Sequence, residues 1–144
     1  MIKIPNKFII FVLVIAVVVG SFYFFSDKQR EVVMGSEVFL LDIADTEALR
    51  EKGLSYREAL SPNTGMLFIF DTSDTHKFWM KGMNFPIDII WLDQDKKVVY
   101  IEHSLSPVTY PKAFGPSTPT QYVIEIPAGD AGRLGLILGD IINF

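Results

Sequence analysis

The segment Phe78–Trp91 holds the residues of this chain whose types are best suited to chemistry. It combines two Trp, two Met and two Phe with one cation, Lys81, and one carboxylate, Asp88. Asp88 lies in an apolar strand pattern, where an unpaired carboxylate is costly, so we expect it to be protonated or to pair with Lys81 or Arg57. The pattern allows a structural ion pair or backbone hydrogen bonds that tie a loop to the sheet. It also allows a binding or acid/base group at a cleft, with Trp79 as a stacking wall.

The polar segment Asp71–His76 offers carboxylate, hydroxyl and imidazole groups, which are possible metal ligands. The same residue types are common in solvated hairpin turns, which is the favoured interpretation. Asp93-Gln94-Asp95 resembles the start of a calcium loop, but Val98 and Ser104 stand where Gly and Glu are required. The chain has no cysteine, which excludes disulfides and thiolate metal sites. We therefore expect no metal and no cofactor.

Standard catalytic signatures are missing from the sequence. It contains no phosphate-binding loop, no dinucleotide fingerprint, no zinc-protease helix motif and no nucleophile elbow. A Ser-His-Asp triad would have to use His76 or His103, and neither lies in a supporting local context. Glu125 is expected to be a solvated surface charge, as most such residues are.

An uncharged run of 18 residues, Phe8–Phe25, predicts a transmembrane signal-anchor. As a helix it would span roughly 27 Å, enough for a thin bilayer core. Lys3 and Lys7 precede the run, so the positive-inside rule places the N-terminus in the cytoplasm and the rest of the chain outside it. A cleavable signal peptide is the alternative. The run is long for one and lacks a small-x-small cleavage site, which favours an uncleaved anchor.

The predicted organisation is a cytoplasmic N-terminus at 1–7, the anchor at 8–25, a polar stalk at 26–36 and one extracytoplasmic domain at 37–144. Outside the apolar run, about 44% of the residues are apolar, the usual share for a soluble domain. From Asp27 onward, 11 basic residues face 17 acidic ones, a net charge of −6. This balance argues against nucleic acid as a partner.

Hydrophobic patterning predicts many short strands and two short helices in the domain. Asp45 is the expected N-cap of a helix over Thr46–Lys52 that stops at Gly53, and a second helix is expected over Ala128–Leu134. A segment with four prolines, residues 105–120, is expected to be a long ordered loop or lid. The predicted strands are Val38–Ile43, Gly65–Phe70, Lys77–Met80, Ile87–Leu92, Lys97–Glu102, Tyr122–Ile126 and Ile141–Phe144. These elements predict a mainly β (α+β) fold, a compact antiparallel β-barrel or sandwich-like domain.

Three ordered motifs resemble the signature of the family called domain of unknown function 192. They are Glu51–Arg57, Gly65–Phe70, and Phe78–Lys81 leading to Pro86-Ile87-Asp88. The resemblance runs from about residue 38 to residue 144. The sequence departs from the family pattern at Ser55, where Met is usual, and at Met83, where Thr is frequent.

The resemblance implies a compact β-rich barrel or sandwich, often behind a signal or anchor, and it brings no settled activity. Arg57, Trp79, Lys81 and Asp88 match family motif positions. They are therefore carried over as ligand-binding candidates, and no catalytic residue is assigned.

The leading hypothesis is a non-enzymatic, membrane-tethered binding or accessory module outside the cytoplasm. Its ligand would be an envelope saccharide stacked on Trp79, or a protein that docks near the proline-rich segment. One alternative is a glycan hydrolase with Asp88 and a second carboxylate from Glu51, Glu102 or Glu125. The other is a purely structural role for the motif residues.

Overall fold

The computed structural model describes residues 28–144. The predicted cytoplasmic segment at 1–7, the anchor at 8–25 and the first two residues of the stalk lie outside the described residues. Within residues 28–144, no helix has both the length and the apolar character needed to cross a membrane.

The described part of the chain contains eight strands, two short α-helices and a 3₁₀ turn at Pro107–Thr109. In chain order the strands and α-helices are β1 (Gln29–Met34), β2 (Glu37–Ala44), α1 (Glu47–Lys52), β3 (Thr64–Asp74), β4 (Phe78–Trp79), β5 (Ile87–Leu92), β6 (Val98–Leu105), β7 (Ala113–Phe114), β8 (Thr120–Pro127) and α2 (Asp130–Arg133).

Six strands form one sheet in the order β1-β2-β3-β8-β5-β6, and β4 pairs separately with β7. β2 and β3 are parallel, because the connection through α1 brings the chain back in the same direction. The other pairs are antiparallel. A mainly β fold with few short helices is thus confirmed. The prediction of a closed barrel is wrong, because among the described residues the edge strands β1 and β6 do not pair with each other. The sheet, which was predicted to be antiparallel, is mixed, because the β2–β3 pair is parallel.

The polar segment that was expected to be a stalk lies partly inside the sheet. Residues 29–34 form β1, which pairs antiparallel with β2. Val32 and Met34 are fully buried, whereas Val33 between them is 42% exposed. This alternation is that of an edge strand with one face on the core. The ordered domain therefore includes Gln29, ahead of the predicted boundary at residue 37.

Two apolar clusters pack on opposite faces of the sheet. β5 contributes to both, because neighbouring strand residues point to opposite faces and all six of its residues are buried. Ile90 belongs to the first cluster and Ile89 to the second. The first cluster also contains Phe39, Leu41, Leu67, Ile124 and Ile142, and the second contains Leu54, Phe68, Met80, Trp91 and Val123. The second cluster underlies the candidate site.

The helix α1 begins one residue later than predicted. The hydroxyl of Thr46 accepts a hydrogen bond from the backbone amide of Leu49 at 3.3 Å, so Thr46 is the N-cap and the prediction of Asp45 is wrong. Asp45 instead accepts from the ammonium group of Lys28 at 3.1 Å. Gly53 ends the helix as predicted, with a φ of 50° that favours glycine.

The last predicted strand, Ile141–Phe144, does not form. Its described backbone makes only single bridges, from Ile141 to Lys97 and from Asn143 to Val33. Ile141 is 61% exposed. The apolar pattern that predicted a strand therefore does not correspond to a buried strand. The proline-rich segment 105–120 contains the 3₁₀ turn and β7, which pairs with β4 beside the candidate site.

Candidate functional site

Asp88 is held by backbone amides on the face of the sheet that carries the first apolar cluster. It is 0% exposed. Its Oδ1 accepts from the amides of Ser104 at 2.7 Å and Gly129 at 3.0 Å, and its Oδ2 accepts from Ala131 at 2.8 Å. The expected partners, Lys81 and Arg57, are not among its described hydrogen-bond or ion-pair partners. The carboxylate thus ties β5 to β6 and to the start of α2.

Arg57 pairs with a carboxylate that sequence reasoning did not single out. Its guanidinium donates to Oδ2 of Asp42 at 2.7 Å, and the side-chain amide of Gln29 donates to Oδ1 at 2.8 Å. Asp42 and Glu125 flank Met66 on neighbouring strands, so all three share one face of the sheet. Arg57 lies close enough to Glu125 for its positive charge to lower the pKa of that carboxyl group.

Trp79 and Lys81 come together at the surface. The Trp79 side chain is 51% exposed. The ammonium nitrogen of Lys81 lies 5.6 Å from the centroid of the Trp79 ring, within the range of a cation–π contact. The ring of Tyr110 meets Trp79 edge-on at 5.8 Å between centroids. The structure therefore presents a half-exposed indole whose ring carries the Lys81 ammonium group over one face.

A cleft of about 270 Å³ opens between α1 and β4, with Trp79 and Lys81 in its wall. Such a volume lies just below the range of roughly 300–1,000 Å³ that is usual for small-molecule sites. Its apolar lining comes from the second cluster and its neighbours, namely Leu54, Phe68, Phe70, Phe78 and Met83. Its charged lining residues are Arg50, Glu51, Lys52, Lys77, Lys81 and Glu125.

A second cleft of about 290 Å³ adjoins the first. The two share Trp79 and Lys81 and one edge of α1, while Tyr56, which is 77% exposed, belongs to the second alone. Trp79 therefore contributes to the walls of both depressions. Arg57 and Asp88 are not among the described residues that line either cleft.

Hydrogen bonds made by the residues just before β4 fix the position of this strand. The ammonium group of Lys77 donates to the carbonyl oxygens of Gly115 and Pro116, each at 2.6 Å. The indole nitrogen of Trp91 donates to the carbonyl oxygen of His76 at 2.9 Å. The His76 ring stacks on Phe70 with 3.4 Å between centroids, and burial lowers its pKa. The wall that carries Trp79 is therefore fastened at several points.

Glu125 lines the first cleft, although its sequence context suggested a solvated charge. It is 5% exposed. Burial raises its pKa to about 8, and the charge of Arg57 only partly opposes this rise. The sequence carries a signal that could have found it, since Glu125 is the one charged residue within Thr120–Pro127.

The polar segment Asp71–His76 does not bring three His, Asp or Glu side chains together. Residues 71–74 are exposed and continue β3, so the predicted hairpin turn does not form there. Asp74 accepts a hydrogen bond from the backbone amide of Thr75 at 2.7 Å, and His76 stacks on Phe70. Across residues 28–144, no three His, Cys, Asp or Glu side chains are grouped so that they could hold a metal ion.

The model of the DUF192 family, described as "Uncharacterized ACR", matches residues 29–144. The chain belongs to the DUF192 family. Its predicted resemblance to that family is confirmed, and the match begins at β1. No curated protein matches the chain.

Two crystal structures are similar to this DUF192 domain. One is a protein of unknown function from Novosphingobium aromaticivorans, with 32% identity and a TM-score of 0.76, covering 81% of this chain and 85% of that one. The other, from Sinorhizobium meliloti, is described as a "putative transcription regulator". It has 28% identity and a TM-score of 0.76, covering 82% of this chain and 95% of that one.

Proposed function

We propose that this DUF192 protein is a membrane-tethered, non-enzymatic module that binds an envelope saccharide through its two adjoining clefts. The apolar run Phe8–Phe25 is the anchor, and Lys3 and Lys7 before it place the domain outside the cytoplasm. The ligand follows from the chemistry of the clefts.

The observation that carries the proposal is the placement of Trp79. A half-exposed tryptophan leaves apolar surface in contact with water. Covering that surface with a ligand is favourable in free energy. The apolar face of a sugar ring can stack on the indole, while its hydroxyl groups reach polar neighbours such as Lys81. Because Trp79 lines both depressions, a ligand of at least two sugar units can occupy both of them while it contacts the indole.

The hydrolase alternative requires Asp88 at a cleft, and the position of Asp88 argues against it. Asp88 is fully buried and accepts three backbone hydrogen bonds. A general acid or nucleophile must reach the scissile bond across a cleft, and Asp88 reaches neither described cleft. The contacts of Asp88 instead support the structural alternative for this one residue.

Nucleic acid is a poor candidate ligand. The Sinorhizobium meliloti protein is described as a regulator of transcription, but the net charge of −6 from Asp27 onward opposes binding to phosphate backbones. Two cations of the first cleft are also already bonded to backbone carbonyl oxygens. Arg50 donates to the carbonyl oxygens of Asp45 and Ile69, and Lys77 donates to two carbonyl groups of the loop.

The test is co-sedimentation of the detergent-solubilised full chain with purified peptidoglycan sacculi. We expect Trp79→Ala to reduce the retained fraction at least tenfold, since the stacking surface is removed. Ile137→Ala is the matched control, because Ile137 is also well exposed, at 65%, and lies outside both clefts. Thermal melts of both variants check that folding is retained. Equal retention of wild type and Trp79→Ala, or no retention of the wild type, would overturn the proposal.

A further inference from the structure

Glu125 occupies the centre of the sheet at the base of the first cleft. It pairs with Met66 of β3 on one side and Ile89 of β5 on the other, both of them buried. Its side chain therefore lies on the face of the second apolar cluster, to which Met66 and Ile89 belong. This position is unusual for a carboxyl group, because its strand neighbours on both sides are apolar.

The Glu125 carboxyl group lacks the donors that the other buried carboxylates have. Asp88 accepts three backbone amides, and Asp42 accepts from Arg57 and Gln29. By contrast, no group within residues 28–144 makes a hydrogen bond with the buried Oε2 atom of Glu125. An ionised carboxylate in this setting is strongly disfavoured, so the group is held as a neutral acid.

The charged groups around the cleft do not neutralise Glu125. Arg57 is the cation that acts on it, and its guanidinium is bonded to Asp42. Arg50 and Lys77 are bonded to backbone carbonyl groups. Lys81 lies over Trp79. The remaining charged lining residues, Glu51 and Lys52, belong to α1, and His76 stacks on Phe70.

The lining around Glu125 selects the chemistry of what can reach it. Leu54, Phe68, Phe78 and Met83 provide an apolar surface in the same cleft. A ligand group that reaches Glu125 meets this apolar surface, and one acceptor on it would satisfy the neutral carboxylic acid. An acetamido group has this composition, since its methyl group is apolar and its carbonyl oxygen is an uncharged acceptor.

We infer that Glu125 is the polar contact at the base of the cleft, and that its carboxyl group donates a hydrogen bond to the acetamido carbonyl oxygen of an N-acetylated amino sugar. The inference rests on the proposed function and names the ligand class of the same clefts. Glu125 is assigned as a recognition residue, with no bond made or broken.

The experiment is calorimetric titration of the full chain with the β-1,4-linked disaccharide of N-acetylglucosamine. Cellobiose, which has the same linkage but no acetamido groups, is the matched control ligand. At pH 6.5 we expect the N-acetylated disaccharide to bind at least tenfold more tightly. We expect its affinity to fall at least threefold at pH 9.0, where Glu125 ionises and loses its donor.

Two variants separate recognition from folding. Glu125→Gln keeps a donor of the same shape, so its affinity at pH 6.5 should stay within about threefold of wild type and should not fall at pH 9.0. Glu125→Met keeps the volume without a donor, so its affinity should drop at least tenfold. Both variants remove an ionisable group from an apolar site, so we expect both to fold. Thermal melts check this expectation.

The outcomes distinguish this inference from the proposed function. If sacculi are retained through Trp79 but the two disaccharides bind equally, or Glu125→Met binds as well as wild type, the assignment of Glu125 is wrong and the proposed function stands. If the wild type binds neither sacculi nor disaccharide, the proposed function fails first, and the inference fails with it.

Discussion

Oδ2 of Asp88 accepts a hydrogen bond from the backbone amide of Ala131 at 2.8 Å, across 43 residues of sequence. The same carboxylate also accepts the amides of Ser104 and Gly129 through Oδ1. Ser104 has a φ of 48° and lies at an irregularity in the pairing of β5 with β6. One side chain therefore satisfies an amide at a bulge in strand pairing and two amides at the start of α2.

Replacing Asp88 with Asn should destabilise the domain. The amide group of Asn offers one acceptor oxygen and would set its NH₂ donors against a backbone donor. We expect a loss of about 2–4 kcal/mol in the free energy of unfolding, measured by urea denaturation. The control is Asp95→Asn, because Asp95 is exposed in the β5–β6 turn and should change stability by less than about 0.5 kcal/mol. Equal stability of wild type and Asp88→Asn would contradict the structural role.

Gly65 permits the close approach of β3 to β8. A Cβ atom there would lie 2.1 Å from the carbonyl oxygen of Glu125 and 3.1 Å from Cδ2 of Leu41. Gly65→Ala should therefore push the strands apart and cost about 3 kcal/mol or more, or prevent folding. Gly132→Ala is the matched control, since it sits in α2 and a Cβ atom added there would meet nothing within 4 Å. We expect it to be neutral or stabilising by up to about 1 kcal/mol. Thermal melts that show equal losses for both would contradict this account.

The raised pKa of Glu125 predicts a pH dependence of stability. Its pKa is about 8 in the folded state against a usual 4.5. Between these values the folded state holds one more proton than the unfolded state, so the wild type loses stability as the pH rises. Below pH 4.5 and above pH 8 this contribution is flat. Glu125→Gln removes it.

Urea denaturation at pH 5, 6.5 and 8 checks this expectation. The stability of Glu125→Gln relative to wild type should rise steadily with pH. The total rise has an upper bound of about 5 kcal/mol, because a pKa difference of one corresponds to about 1.4 kcal/mol. A difference that stays constant across these pH values would show that Glu125 is not held neutral.

The anchor proposal predicts that the full chain resists extraction from membranes by alkaline carbonate. In intact spheroplasts, added protease should degrade the domain, because the proposal puts the domain outside the cytoplasm on the basis of the positive charges before the anchor. The control substitutes Ile15→Arg together with Val18→Arg. Each arginine at the centre of the run opposes insertion by about 2.5–3.5 kcal/mol, so the variant should lose membrane retention. A wild-type chain that is released by carbonate, or protected from protease, would contradict the proposal.

The strands were predictable where an apolar pattern lies between clear turn signals. β5 follows Pro86, is apolar except for Asp88, and ends at an Asp-rich turn, so its sequence bounds and its structural bounds agree. β1 was missed because an edge strand buries only alternate residues, and Gln29-Arg30-Glu31 masks Val32 and Met34. Ile141–Phe144 is the opposite case, an apolar run that was predicted to be a strand but does not form one. Its apolar residues are not all buried.

The sequence by itself determined that the domain is mainly β, that it belongs with a known family signature, and that Trp79, Lys81 and Asp88 are chemically unusual. Local patterns suffice for these conclusions, because strand periodicity, turns and motif spacing are properties of neighbouring residues. The tertiary structure decided the surroundings of each buried carboxyl group. Asp88 and Glu125 are both single charges in apolar strands. Asp88 meets three backbone amides on one face of the sheet, whereas Glu125 meets hydrocarbon and a cleft on the other. That difference depends on strands far apart in sequence, and pairing of distant strands is what local patterns do not encode.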